Sequence, residues 1–435
     1  MLAGISVKQP ELTFCRWLVC AILLTAERHR SGPLRGAADI PRMRVRYAEV
    51  NSRAGETRRF VRRAMFTVEG RHIVTDSPTI YEALAQRLSN TPNGLPRSAN
   101  RTELKLLAKM FTAQEARLGA AMHLEPEDAT EIAARAGIDA KVALQSLKGM
   151  ARKGLVRAGR GKKGLAFALL PFVVGSYEEA LPYLDEEMAR LFEQLIQETR
   201  GEGLLGPGPA LQRIIPVEQS IDADIELLPY ERASELLEAA KSFGVRECIC
   251  RKQKGMIGER CEYPIDNCLN FAPVEGAFAN QPHVKPISRE EAFRILREAE
   301  EAGLVHSVYN QQDGIFYVCN CCPCCCGIMR GVVEFGRAHA LARSNYQAAV
   351  DADACTGCES CVERCHFDAL SVPDDVCIVD QVHCMGCGLC VSACPSDAIR
   401  LVKRAPEDQV RVPANYRQWQ QERAAARGMP LEELL

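Results

Sequence analysis

Cysteine is the residue type in this sequence whose number and spacing could support chemistry. The chain has 435 residues and 21 cysteines, of which 19 lie between Cys248 and Cys394. Secreted proteins that use cysteine for disulfides are usually much shorter, and here the cysteines repeat at the spacings of metal ligands. We therefore interpret them as reduced thiolates that bind metal, which favours a cytoplasmic protein from an anaerobic or low-oxygen niche.

Two motifs near the C-terminus carry the strongest signal, because both read C-x2-C-x2-C-x3-C. Three cysteines in one tight loop can each reach a separate iron of a cubane, while the fourth lies one helical turn further on. The motifs resemble those of bacterial two-cluster ferredoxins, in which the fourth cysteine ligates the other cluster. The resemblance implies two [4Fe–4S] clusters, the first held by Cys355, Cys358, Cys361 and Cys394 and the second by Cys384, Cys387, Cys390 and Cys365.

The segments around these motifs also suit a ferredoxin-type unit. Residues 369–372, 376–380 and 398–402 are strand-like and fit the paired strands of that fold. One departure is His366, which stands where proline commonly follows the fourth cysteine. Cys377 lies in an apolar segment and is predicted to be a core residue. Zinc is the alternative metal for four cysteines, and two tandem motifs of this spacing argue against it.

Ten further cysteines lie in residues 248–326, and six of them fall within residues 319–326. Because consecutive side chains of an extended segment alternate, these six cannot all bind one ion. We favour one additional iron–sulfur cluster, held by Cys250, Cys261, Cys268 and part of the 319–326 block. A zinc site, a redox-active thiol or disulfide centre and purely structural thiols remain alternatives. The full set of candidate ligands is Cys250, Cys261, Cys268, Cys319, Cys321, Cys322, Cys324, Cys325 and Cys326.

Charged and histidine side chains accompany this cysteine-rich stretch. Basic residues would offset the negative charge of a cluster with four thiolates, and imidazole is a common metal ligand. A solvated surface run and ordinary hydrogen-bonded histidines are the alternatives. The residues concerned are Arg251, Lys252, Lys254, His283 and His306.

The elements that precede the cysteines follow the order helix, short helix, glycine turn, helix and hairpin. The predicted helices of this part cover residues 101–111, 127–136 and 140–153, and the hairpin follows to about residue 170. This order resembles the winged helix-turn-helix of bacterial regulators, in which the third helix enters the major groove. The alternatives are a protein-docking module and a solvated basic face. The candidate nucleic-acid contacts are Lys141, Gln145, Lys148, Arg152, Arg160, Lys162 and Lys163. Elsewhere the sequence predicts helices over residues 79–90 and 230–243 and a helix that begins with a capping box at Ser288 and ends at Gly303.

The whole chain is predicted to be an α+β multidomain protein with a winged-helix-like domain, a cysteine-rich α/β middle domain and a C-terminal ferredoxin-type 2[4Fe–4S] module of ββ-α repeats. Hydrophobic residues make up 47% and the net charge is −2, so the chain has no overall polyanion-binding signature and no expected membrane span. Residues 1–63 hold 13 Lys/Arg against 5 Asp/Glu, which suggests a disordered extension or a start near Met65. The predicted divisions are a basic extension (1–64), a short helical lead-in (65–98), a winged helix-turn-helix-like domain (99–172), a helical connector (173–228), a cysteine-rich domain (229–345), the ferredoxin-type module (346–404) and a polar helical tail (405–435).

The combination of motifs resembles a family of 4Fe–4S binding proteins of anaerobes. Its members join a helix-turn-helix-like region, a C-x-C-R…C…C segment, a CNCC-CCG block and a C-terminal double ferredoxin, and the resemblance covers about residues 100–403. It implies architecture more than a role. We favour one-electron transfer with a partner redox enzyme. The alternatives are a redox-sensing transcriptional regulator and an iron–sulfur oxidoreductase with a catalytic cluster in the cysteine-rich domain.

Overall fold

The structure is a computed structural model that describes residues 46–48, 63–68, 71–74, 77–162, 164–220, 228, 231–281, 283–429 and 431. Most of the predicted basic extension and the wing-tip residue Lys163 lie outside these residues. Over the described ranges, no helix is long and apolar enough to span a membrane.

Helices and strands alternate along the chain. The helices are α1 Ser77–Ser89, α2 Thr102–Met110, α3 Ala113–Ala120, α4 Ala129–Ala136, α5 Ala140–Arg152, α6 Glu186–Thr199, α7 Ala233–Glu238, α8 Ile249–Met256, α9 Arg289–Ala302, α10 Gly327–Val333, α11 Ser360–Arg364, α12 Leu389–Ser392 and α13 Tyr416–Ala426. The strands are β1 Arg46–Ala48, β2 Arg63–Val68, β3 Arg71–Val74, β4 Glu127–Asp128, β5 Val156–Gly161, β6 Gly164–Leu169, β7 Gln212–Ile215, β8 Ser242–Glu247, β9 Asp266–Ala272, β10 Lys285–Ile287, β11 Val305–Tyr309, β12 Tyr317–Cys321, β13 Leu341–Ala342, β14 Tyr346–Val350, β15 Leu370–Ser371, β16 Ile378–Val379 and β17 Ile399–Lys403.

The N-terminal half contains the predicted order of helices and hairpin. Helices α4 and α5 begin at Asp128 and Asp139, whose side chains accept hydrogen bonds from the first free backbone N–H groups. Helix α4 ends at Gly137 because the chain turns there with a φ of 63°, a conformation that glycine adopts without strain. Strands β4, β6 and β5 form a three-stranded antiparallel sheet beside these helices. The identification of this unit as a winged helix remains a prediction.

The helical lead-in predicted for residues 65–98 is only partly helical. Helix α1 lies within this stretch, but residues 65–68 belong to β2 and residues 71–74 to β3, and both strands join β1 in an antiparallel sheet. The helical prediction depended on the periodic segment 79–90 and was extended too far toward the N-terminus.

A seven-stranded mixed sheet forms the middle of the protein, in the order β10-β8-β9-β12-β11-β7-β13. Two predictions were wrong here. Strand β7 lies in the predicted helical connector, and β8 occupies the end of a helix predicted over residues 230–243. In β8, Phe243 and Val245 both point into the core. Core side chains at every second position are the pattern of a strand, so this segment is not helical. The helix predicted to begin at Ser288 and end at Gly303 is present as α9.

The two faces of this sheet have different environments. Helices α7 and α9 cover one face through an apolar cluster that includes Leu269, Val308 and Val318. Since successive side chains of a strand point to opposite faces, the cysteines next to Leu269 and Val318 point away from these helices. That second face carries Cys268, Cys319 and Cys321.

The C-terminal module keeps a small core of its own. Strand β14 pairs with β17, and β15 pairs with β16, all antiparallel. Helices α11 and α12 each contain the third cysteine of a motif, Cys361 and Cys390 respectively, and the core between them also contains Cys377 and Cys384. The three strand-like segments predicted around the motifs therefore lie in β15, β16 and β17.

The predicted polar tail is helical but not exposed. In α13, Trp419 and Arg423 are fully buried, and the Trp419 ring donates a hydrogen bond from Nε1 to the Ala210 carbonyl at 2.8 Å. The Arg423 guanidinium donates to the carbonyls of Leu204, Pro209 and Pro92. Composition concealed this docking, because the buried side chains are mostly polar.

Candidate metal centres

The second cysteine motif of the module gathers its thiols with Cys365 from the first motif. Burial, together with the nearby Cys365 and Cys384 thiols, raises the pKa of Cys387 to about 12. Burial also raises the pKa of Cys390, which has Cys387, Cys384 and Cys365 as its neighbours. The structure thus brings together the four thiols of the predicted second cluster.

In the same way, Cys394 of the second motif lies with the thiols of the first motif. Burial raises the pKa of Cys361, and the neighbouring Cys394 thiol from the second motif adds to it. Cys355 accepts a hydrogen bond from the backbone N–H of Cys377, whose own thiol lies 3.5 Å from the Cys361 sulfur. Cys358 is exposed at the surface of its loop. Cys377 is buried in the module core, as predicted.

Both motifs of the module contact the rest of the protein near the second cluster site. The backbone N–H of Val217 donates to the Cys387 carbonyl at 2.9 Å. Gly388 has a φ of 82°, and a Cβ at this position would overlap the Ser220 side chain. Arg364, just before Cys365, donates to the last carbonyls of α9 at 2.7–2.8 Å. The contacts of the module therefore lie on two sides of the second cluster site, at the loop of Cys387 and Gly388 and at Arg364 next to Cys365.

Strand register places two middle-domain cysteines side by side. Val318 pairs with Leu269 in the antiparallel β12–β9 ladder, so Cys319 and Cys268 are cross-strand neighbours on the opposite face. Cys321 follows two residues later and points to the same face. These three thiols lie close enough to interact, Cys268 with Cys319 and Cys319 with Cys321.

Three more cysteines close this row into a ring. Cys248 and Cys250 lie at the start of α8, and Cys326 immediately precedes α10. Each thiol interacts with two others, in the cyclic order Cys248, Cys250, Cys326, Cys321, Cys319, Cys268 and back to Cys248. Contact with Cys248, followed by Cys326 and burial, raises the pKa of Cys250. We call these six residues the thiol ring.

A separate cluster of four thiols, those of Cys261, Cys322, Cys324 and Cys325, lies next to the ring. Its sulfurs all lie within 4.8 Å of one another. Contact with Cys324 and Cys325 lowers the pKa of Cys322 to about 2, and Cys322 and Cys325 are buried while Cys324 is exposed. Four thiolates at this spacing suit one tetrahedral ion such as zinc or iron. We call Cys261, Cys322, Cys324 and Cys325 the four-thiol group.

The buried Arg251 guanidinium lies beside both sets of thiols. Burial alone would lower its pKa, but the neighbouring Cys248, Cys322 and Cys321 raise it. Its nitrogens donate to the Asn267 side chain at 2.7 Å and to the Asn320 carbonyl at 2.8 Å. Because Asn267 and Asn320 precede Cys268 and Cys321, this one cation also fixes the strands that present ring thiols.

A buried ion-pair network holds the two helices that follow ring cysteines. Glu193 of α6 pairs with Lys254 of α8 at 3.0 Å and with Arg330 of α10 at 2.9 Å. Burial would raise the pKa of Glu193, but the hydrogen bonds from Arg330 and Lys254 lower it to about 2. The three helices are therefore clamped together behind the ring.

The thiol ring lines a cavity of about 680 Å³ whose walls are mostly apolar. All six ring cysteines contribute to it, as do Cys322 and Cys325. Part of the wall carries titratable groups, where Glu179 accepts from Arg246 at 3.0 Å and lies 2.6 Å from His283 Nε2. Burial raises the pKa of the neighbouring Glu178 to about 7. Titratable side chains thus line the same cavity as the thiols.

The candidate ligands predicted from sequence are divided by the structure. Cys250 and Cys268 belong to the ring, whereas Cys261 belongs to the four-thiol group. Cys248 was left out of the predicted set, although its C-x-C spacing to Cys250 was a usable signal. His306 is fully buried between Asn320 and Glu300, and His283 pairs with Glu179, so neither imidazole is a member of a thiol set.

The remaining charged candidates lie at the surface or in ion pairs. Lys252 pairs with Glu247, and Lys254 belongs to the Glu193 network. The predicted nucleic-acid contacts lie on α5 and on the β5–β6 hairpin, and Lys163 is outside the described residues. Most of them are exposed and one is half-buried: Lys141, Gln145, Arg152, Arg160 and Lys162 are exposed, and Lys148 is half-buried.

Comparison with known proteins identifies one part of the chain. Residues 377–400 match the family model of a 4Fe-4S binding domain, and this stretch contains the second motif from Cys384 to Cys394. Searches of curated proteins and of solved structures returned no match. The family match and the gathered thiols together show that this chain is an iron–sulfur protein with a 4Fe–4S binding domain.

Proposed function

We propose that the protein transfers single electrons between a partner redox protein and a metal centre in the middle domain, with the ferredoxin-type module as the entry point. Two [4Fe–4S] clusters in the module would carry the electron, since such clusters cycle between two oxidation states over a wide range of potentials. The first cluster, near the exposed Cys358, would face the partner. The second cluster, which includes Cys365, would face the middle domain.

The observation that carries this proposal is the contact between Cys365 and the four-thiol group through two aromatic side chains. His366, the neighbour of Cys365, lies 2.7 Å from the Gly303 carbonyl through Nε2. Its ring meets the Tyr263 ring edge to face, with centroids 6.5 Å apart. Tyr263 in turn packs against Cys322 and lies near Cys324. A continuous packed route thus joins the second cluster site to the middle-domain thiols.

The test is a freeze-quench electron paramagnetic resonance experiment on the anaerobic full chain. A photoreductant delivers less than one electron per chain, and the spectrum is followed as the electron distributes between the module and the middle domain. Tyr263→Leu is expected to keep the iron content and to slow this distribution. Tyr81→Leu, which removes a tyrosine from α1, is the matched control and should leave the rate unchanged.

Removal of the second cluster gives the stronger version of this test. Cys387→Ser is expected to leave the first module cluster reducible and to interrupt electron arrival in the middle domain. If every reducing equivalent stays in the module of the native chain, or if Cys387→Ser distributes electrons as fast as the native chain, the proposal is wrong.

A second candidate function is redox-dependent binding of DNA by the unit that contains α4, α5 and the β5–β6 hairpin. It is favoured by the exposed basic side chains of Lys141 and Arg152 on one helix and of Arg160 and Lys162 on the hairpin. Fluorescence anisotropy with duplex DNA under anaerobic conditions tests it. Binding should weaken steeply with salt and be lost in a Lys148→Glu, Arg152→Glu double variant. An absence of binding at low salt would exclude this role.

A further inference from the structure

We infer that the six cysteines of the thiol ring hold one polynuclear iron–sulfur cluster with more than four irons, at a site distinct from the four-thiol group. This assignment goes beyond electron transfer and does not depend on it. The ligands would be Cys248, Cys250, Cys268, Cys319, Cys321 and Cys326.

The spacing of the ring thiols does not suit a single ion. A tetrahedral ion with thiolates at about 2.3 Å places their sulfurs about 3.8 Å apart. Among the described cysteines, which include all six of the ring, no three ring sulfurs lie mutually within 4.8 Å, whereas the four-thiol group meets that condition. A zinc pair bridged by thiolates would also need such a set. The ring is therefore wide enough to span several metal ions and too wide to surround one.

The number of thiols exceeds what one cubane uses. A [4Fe–4S] cluster takes one cysteine for each iron, and so four in total. Each ring thiol has two ring neighbours, and all six line the same cavity. A cluster with more irons than a cubane accounts for all six thiols.

Metal would also balance the charge of the ring. Without metal most of these thiols would stay protonated, because burial disfavours the thiolate form; as six ligating thiolates they would need positive charge beside them. Two guanidinium groups lie near them, Arg251 beside Cys248 and Cys321, and Arg246 beside Cys268. Arg246 also pairs with Glu179, so its charge is partly used. Several iron ions would provide the remaining positive charge.

The cavity is large enough for such a cofactor. The ring forms one wall of the cavity of about 680 Å³, and the strands and helices behind it are fixed by Arg251 and by the Glu193 network. The remainder of the wall is mostly apolar. Ligands that are held in place by a surrounding shell of this kind are the arrangement that tunes a cluster.

The experiment is a metal and acid-labile sulfide count on the anaerobic full-length chain and its variants. Two module clusters supply about eight irons, so the native chain is expected to hold more than about twelve in addition to any iron of the four-thiol group. Cys319→Ser is expected to lose more than four irons together, with proportional loss of sulfide. Cys324→Ser in the four-thiol group is expected to lose one metal ion, and Cys377→Ser none.

The electron paramagnetic resonance spectrum of the module reports whether each variant has folded, and Cys248→Ser is the second ring variant. A native chain with twelve irons or fewer would overturn the inference without any variant. So would a ring variant that loses four irons or fewer, or one that loses two zinc ions. If the iron counts are as expected but no electron passes from the module to the middle domain, the proposed function is wrong and the ring assignment stands.

Discussion

The clamp around Glu193 gives a quantitative prediction. Replacement of Glu193 by glutamine keeps the shape of the side chain but removes the charge that pairs with Lys254 and Arg330. The pKa of Glu193 falls from 4.5 to about 2 in the folded protein. Because a tenfold change in proton affinity corresponds to about 1.4 kcal/mol, the carboxylate contributes about 3 kcal/mol at neutral pH. We expect Glu193→Gln to lower the free energy of unfolding by that amount.

The pH dependence follows from the lowered pKa. A carboxyl group with a depressed folded-state pKa stabilises the fold above its unfolded pKa, and this contribution is lost as the pH falls from about 4.5 toward 2. Glu193→Gln should therefore flatten the acid limb of the stability profile. Anaerobic urea unfolding, followed by far-ultraviolet circular dichroism and by cluster absorbance, measures both quantities.

Glu334→Gln is the matched control for this experiment. Glu334 also pairs with Arg330, but its side chain is 42% exposed, so solvent screens the interaction. We expect this variant to lose less than about 1 kcal/mol. If Glu193→Gln and Glu334→Gln destabilise the chain equally, then the buried ion pairs of Glu193 do not clamp the helices behind the thiol ring.

Three further predictions concern other regions. Cys377→Ser should leave the module iron unchanged, whereas Cys361→Ser should lose up to about four irons, as measured by iron analysis. The pKa of Glu178 is about 7, so the folded state keeps this proton longer than the unfolded state and stability falls as the pH rises from about 4.5 to 7. Glu178→Gln should remove that decline, which is at most about 3 kcal/mol in urea titrations at several pH values. Trp419→Ala should cost about 3–5 kcal/mol in the same assay, and the exposed Arg417→Ala less than about 0.5 kcal/mol.

The module was the part of the fold most open to prediction. The positions of its cysteines fix which residues must meet, because a cubane accepts ligands only from a narrow range of directions. The structure accordingly places Cys365 beside Cys387 and Cys394 beside Cys361. Helix α9 was equally predictable, since Ser288 and Gly303 mark its two ends by local hydrogen bonding and backbone conformation.

The arrangement of the middle domain could not be read from the sequence in the same way. Whether Cys268 meets Cys261 or Cys319 depends on the register of β9 against β12, and register is a property of two strands that are distant in the chain. The burial of α13 was also hidden. Its docking depends on hydrogen bonds from Trp419 and Arg423 to carbonyl groups more than 200 residues away, which composition does not reveal.

We propose that this chain is an electron carrier with two [4Fe–4S] clusters in its module. The most direct test is an anaerobic redox titration of the full chain, with spins counted by electron paramagnetic resonance. Two module clusters predict two reducible spins, and Cys365→Ser should abolish the same signal as Cys387→Ser while the other signal persists. Fewer than about four irons with full zinc occupancy, or a Cys365→Ser spectrum that matches Cys361→Ser instead, would contradict the claim.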